Sequence, residues 1–102
     1  MDDLLQQAAA WLVQDGGVAA ARVVYWHTGH ATSAAYAGAS ASMASPIAFG
    51  LRAEGEACGV IELAPARAPT AEARKSLEDL GLVLGVALRR IDRAAQIGRA
   101  HV

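Results

Sequence analysis

His27 and His30 bracket Thr28-Gly29, an H-x-x-H spacing that offers two imidazole ligands. Zinc takes at least three protein ligands, and no Cys, Asp or Glu stands beside the pair. The spacing is therefore read as a turn with two half-exposed histidines, and no metal site is expected. Cys58 is the single cysteine. A redox thiol needs accessible, electropositive surroundings. Arg52 would sit across from Cys58 in a hairpin, which keeps a Cys58-dependent redox enzyme as an alternative to the plainer role of a small buried hydrophobe. Tyr25 and Trp26 are neighbours in a strand-like run, so they point to opposite faces and one of them leaves the core to meet a ligand. Trp26, Tyr36, Arg52 and Cys58 are accordingly the candidate ligand-binding residues. Arg89, Arg90 and Arg93 suit the negative end of a helix and a solvated face. No P-loop, dinucleotide fingerprint, G-x-S-x-G or C-x-x-C pair occurs, and no catalytic constellation is legible, so the chain is read as non-enzymatic.

Those residues must be held by one small domain. The chain has 102 residues, 54% of them hydrophobic, and a net charge of −1. That is enough for one core and too little for two domains. A nucleic-acid binder needs a basic surface to neutralise phosphates, and this charge balance provides none. One cysteine excludes an internal disulfide framework and fits a reducing compartment. The acidic start Met1-Asp2-Asp3 is unlike a signal peptide, and the longest apolar run, Leu80 to Leu88, is far short of the roughly 20 residues of a membrane span. A cytoplasmic location is expected.

Leu4, Leu5, Ala8, Trp11 and Leu12 recur at helical spacing, with Asp2 or Asp3 as cap and Gly16-Gly17 as terminator. Ala20 to Thr28 is β-branched and aromatic, and Ala31 to Ala37 is a weaker strand. Ile47–Ala53 and Ala57–Leu63 form the clearest hairpin. A three-residue loop, Glu54-Gly55-Glu56, pairs Ile47 with Leu63 and Phe49 with Ile61, keeping the large apolar residues on one face. Thr70 caps a helix running to about Ala95, whose centre, Leu80 to Leu88, is apolar all round and must be covered on all sides. Within it Leu77, Leu80, Leu84, Ala87 and Ile91 follow a 3-4 spacing, which makes them the candidate dimerisation seam. Gly81 and Gly85 share a face where either a partner helix or the sheet approaches closely. The order helix, four strands, helix predicts an α+β fold: a four-stranded antiparallel sheet flanked by an N-terminal and a long C-terminal helix.

Ser45-Pro-Ile-Ala-Phe-Gly-Leu-Arg-Ala-Glu-Gly-Glu-Ala-Cys-Gly-Val-Ile-Glu-Leu63, followed by Ala71-Glu72 and the long apolar helix, resembles the C-terminal half of a GAF domain. Gly59-Val-Ile-Glu-Leu63 matches that family's second hairpin strand, while Gly50 stands where the family often has Pro. The resemblance implies a non-catalytic regulatory input module of a signalling protein, such as a sensor histidine kinase or a diguanylate cyclase, that pairs as a homodimer through its helices and binds a small molecule. It names no cofactor. Only Gly38 to Ala44 stand where the family places its pocket lid, which implies a shallow site rather than a deep nucleotide pocket. Cys58 lies in a strand, so tetrapyrrole attachment is not carried over. A stand-alone small-molecule-binding or dimerisation scaffold is the alternative.

Ile97-Gly-Arg-Ala-His-Val102 breaks the helical pattern and resembles a translated sequencing adapter, with Gln96 compatible with the adapter's phase. The expected organisation is therefore a GAF-like sensory or dimerisation domain over 1–95, then an artefactual or disordered tail over 96–102. The output domain would lie beyond.

Overall fold

The computed structural model describes residues 1–15, 18–27, 32–39, 46–65 and 69–100. Its elements are α1 (Asp2–Gln14), β1 (Val18–Trp26), β2 (Thr32–Gly38), β3 (Ile47–Ala53), β4 (Glu56–Pro65) and α2 (Ala71–Ala100). The four strands make one antiparallel sheet in the order β2-β1-β4-β3. The α+β architecture is thus the one expected from the element order. His30 and residues 40–44 of the segment Gly38 to Ala44 lie outside the described residues.

α1 packs on β1 and β2, and α2 packs mainly on β3 with a smaller contact to β4. Leu5, Ala9 and Leu12 from α1 meet Val23, Tyr25, Ile61, Leu63, Leu51, Leu84 and Leu88 in one core. Two details differ from expectation at α1. Met1 rather than an aspartate occupies the cap position, and Asp2 and Asp3 sit in the first turn, where they complement the helix dipole without a capping bond. The buried stripe runs through Leu5, Ala9 and Leu12, which turns Trp11 outward and leaves it half exposed.

The β3–β4 hairpin pairs Ile47 with Leu63 and Phe49 with Ile61, as the hydrophobic pattern requires. It reaches that register by a different route. Ala53 pairs with Glu56 across a two-residue turn in which both Glu54 and Gly55 have positive φ, and the register then shifts between Leu51 and Arg52. Both positive φ values match the twist of a tight hairpin, and the bulge supplies the residue that the longer loop would have contained. Cys58 is the strand residue left without a partner by that shift.

α2 begins at the expected cap, where the Ala73 amide donates to Thr70 Oγ1 at 3.1 Å. It continues as helix to Ala100, past the expected end at Ala95. Thirty residues at 1.5 Å each make it about 45 Å long, and it sets the 48 Å long axis of the molecule. Its approach to the sheet rests on the two glycines. A Cβ on Gly81 would collide with the Gly50 carbonyl, and one on Gly85 with the Arg52 backbone. The small face is therefore used against β3 within the chain. No helix among the described residues is long and apolar enough to cross a membrane.

Candidate functional site

Strand alternation sorts the polar side chains into two clusters, one on each face of the sheet. On the open face, opposite the helices, Arg22 of β1 lies directly across from Tyr36 of β2 and Glu62 of β4. Its Nε donates to Glu62 Oε1 at 2.7 Å, with Nη2 on the same oxygen, and Nη1 donates to the Tyr36 hydroxyl at 3.3 Å. The guanidinium also sits over the Tyr36 ring. The Tyr36 hydroxyl and then Glu62, by hydrogen bonding, hold Arg22 more firmly protonated than usual. Beside this row lies a row of small side chains, with Val24 between Ala34 and Val60, and Val60 paired with Gly50. Trp26 and Tyr36 stand exposed in the rows on either side of it. The result is a strip of small apolar side chains on the sheet surface with an exposed aromatic residue on either side of it. At the β3 edge a separate open groove of about 440 Å³ is lined by Phe49, Arg52, Arg74, Glu78 and Leu82, among others.

The covered face holds the second cluster, at the end of the sheet where β1 finishes. Asp92 of α2 is only 2% exposed. Its Oδ2 accepts from the Tyr25 hydroxyl at 2.8 Å, and its Oδ1 lies 3.1 Å from His27 Nδ1. The other imidazole nitrogen, Nε2, lies 2.7 Å from Ser33 Oγ on β2. The Tyr25 and His27 rings meet edge to face, and Arg89 sits over the Tyr25 ring. Burial alone would raise the Asp92 carboxyl, but the hydrogen bonds from Tyr25, His27 and Gln96, together with the charge of His27, outweigh it and hold the acid below its ordinary range. Tyr25 is pushed up to about 12, first by burial and then by its bond to Asp92, so it stays a neutral donor. No buried side-chain polar atom among the described residues lacks a partner. The arrangement ties three elements together: α2 through Asp92, β1 through Tyr25 and His27, and β2 through Ser33.

Of the residues singled out from sequence, Trp26, Tyr36 and Arg52 share the open face. Cys58 does not join them. The bulge turns it to the covered face, where it is 1% exposed, its sulfur 4.0 Å from the Gly85 carbonyl, and burial raises its thiol pKa. A thiol so placed is a core residue rather than a reactive one. The seam of Leu77, Leu80, Leu84, Ala87 and Ile91 is likewise turned inward. Leu84 belongs to the core, Leu77 and Leu80 pack against it, and Ala87 and Ile91 are half buried. The large apolar residues α2 presents to solvent are instead Leu82, Val83, Val86 and Ile97, with Val83 70% exposed. Arg93 forms a two-bond pair with Glu54 of the hairpin turn.

Sequence reading missed Asp92, Ser33 and the inward role of His27. A signal for Asp92 exists: it follows Leu84 and Leu88 at four-residue steps, so an acid falls in phase with the buried stripe, and an acid there must be partnered. Nothing local marks Ser33, whose partner lies across a hairpin.

No protein-family model matches the chain, and no curated protein or solved structure matches it either.

Proposed function

We propose that this chain is a GAF-like regulatory input module of a signal-transduction protein, of the kind that controls a histidine kinase or a diguanylate cyclase. A ligand or partner segment on the open sheet face biases how α2 pairs with α2 of a second copy. The observation that carries this reading is the outward stripe of Leu82, Val83 and Val86 on a helix whose opposite side is already filled by the core. The Asp92 cluster supports the coupling, because any shift of β1 against β2 at the sheet's end moves the groups that hold α2.

Sedimentation equilibrium up to about 0.5 mM tests the pairing. A concentration-dependent dimer that Val83→Glu abolishes is the expected result. A chain that stays monomeric at about 0.5 mM would remove the paired-helix reading.

A further inference from the structure

The cluster on the covered face is ordered as a nucleophile, a base and an orienting acid. Asp92 is ionised and can only accept, so His27 Nδ1 must be the donor to it. In the neutral form of the imidazole, Nε2 is then the acceptor facing the Ser33 hydroxyl at 2.7 Å. This is the tautomer and direction in which an imidazole draws a proton from serine, with the acid fixing the ring and stabilising the charge that forms. Tyr25 occupies the second carboxylate oxygen, so Asp92 cannot swing away from His27.

Ser33 is partly exposed and lies on β2, an edge strand. The bond from the Ala39 amide to the Ala19 carbonyl places the odd-numbered residues of β2 in the hydrogen-bonded positions against β1. Even-numbered residues then direct their backbone groups to the free edge. The Tyr36 carbonyl does so, and it takes Gln6 Nε2 there at 3.0 Å. The Ala34 amide, directly after Ser33, is directed the same way. A backbone N–H from the residue after the nucleophile is a recurrent donor to the oxyanion of acyl transfer.

We infer that Ser33, with His27 as general base and Asp92 as its positioning residue, is an acyl-accepting nucleophile toward small carboxylic esters. Ser33 Oγ bonds to the ester carbonyl carbon while His27 Nε2 takes the hydroxyl proton. The C–O bond to the alcohol breaks, and that proton goes to the departing alkoxide. Water, giving its proton to the same nitrogen, then cleaves the acyl-serine, releasing the carboxylic acid and restoring Ser33. Ser33 is partly exposed and His27 has 20% of its side chain accessible, so a short acyl group is the substrate class proposed. None of its residues belongs to the outward stripe of α2, so the pairing test and this one fail independently.

The experiment is labelling of the full chain with a fluorophosphonate probe, read by intact mass and peptide mapping, alongside hydrolysis of p-nitrophenyl acetate. One adduct on Ser33 is expected, absent in Ser33→Ala and slowed at least about a hundredfold in His27→Gln, which cannot act as a base. Ser33→Ala removes one partly exposed hydroxyl and is expected to keep the fold, which circular dichroism checks for both variants, so its result stands even where a His27 variant unfolds. No adduct after prolonged exposure, an adduct elsewhere, or equal labelling of folded His27→Gln would each overturn the assignment.

Discussion

The two polar clusters are built from similar parts, a carboxylate, a basic side chain and a tyrosine hydroxyl, yet they differ in everything that decides their worth. Arg22, Glu62 and Tyr36 lie in one row across three strands that the sheet already holds together, and Tyr36 is largely exposed. Water can replace each of their bonds. Tyr25, His27, Ser33 and Asp92 join a helix to two strands, and Asp92 and Tyr25 are sealed from solvent. Water cannot replace the bond between those two buried groups, so losing Asp92 strands the Tyr25 hydroxyl. The same inventory therefore serves as surface decoration on one face and as a structural joint on the other.

The comparison is broken most directly at Asp92. Asp92→Ala leaves the Tyr25 hydroxyl and His27 Nδ1 without an acceptor and should cost about 3 kcal/mol in urea denaturation, whereas Glu62→Ala should cost less than about 1 kcal/mol. Equal costs would erase the distinction. Gly85→Ala attacks the buried joint from below, by lifting α2 off the Arg52 backbone. It should lose about 2 kcal/mol even though alanine is the better helix former, and the Tyr25 ring environment should change in near-ultraviolet circular dichroism. Tyr25→Phe removes a single bond to a charged acceptor, a loss of about 1.5 kcal/mol.

Acid sharpens the contrast further. The folded-state pKa of Asp92 is depressed, so its contribution is present above the ordinary carboxylate range and is lost as pH falls through the folded value. Wild-type stability should therefore decline more steeply than that of Asp92→Asn below a pH of about 4. The smallest effect is expected on the open face. Any stability difference between wild type and Glu62→Gln should shrink toward zero in about 1 M salt, where the screening length is near 3 Å, while the Asp92→Ala deficit should persist.

The strand pattern was readable because its information is local. Ile47, Phe49 and Leu51 alternate with small or charged residues, and only one pairing keeps them opposite Leu63, Ile61 and Gly59. The bulge was not readable, because a three-residue loop and a two-residue turn plus bulge give the same register for the core pairs. They differ only in where Cys58 points, and that difference moved Cys58 from ligand candidate to core. The long helix misled for a related reason. With apolar residues on every side, periodicity alone could not say which stripe the sheet would take, and the choice followed from where Gly81 and Gly85 let the backbones approach. The Ser33, His27 and Asp92 cluster joins positions up to 65 residues apart, and only the assembled sheet and helix bring them together.

Gly81 and Gly85 also determine how α2 can move. Each sits over a β3 backbone group with no side chain between, so a slide by one residue would drive Leu80 or Leu82, and Leu84 or Val86, into that backbone. The helix cannot act as a piston. It can tilt, with the glycine pair as fulcrum. Asp92 lies about 10 Å along the axis from Gly85, and Ile97 about 18 Å. A displacement applied at the Tyr25–Asp92 bond is thus enlarged nearly twofold at Ile97, which gives the chain a lever whose short arm ends at the most deeply buried charge among the described residues.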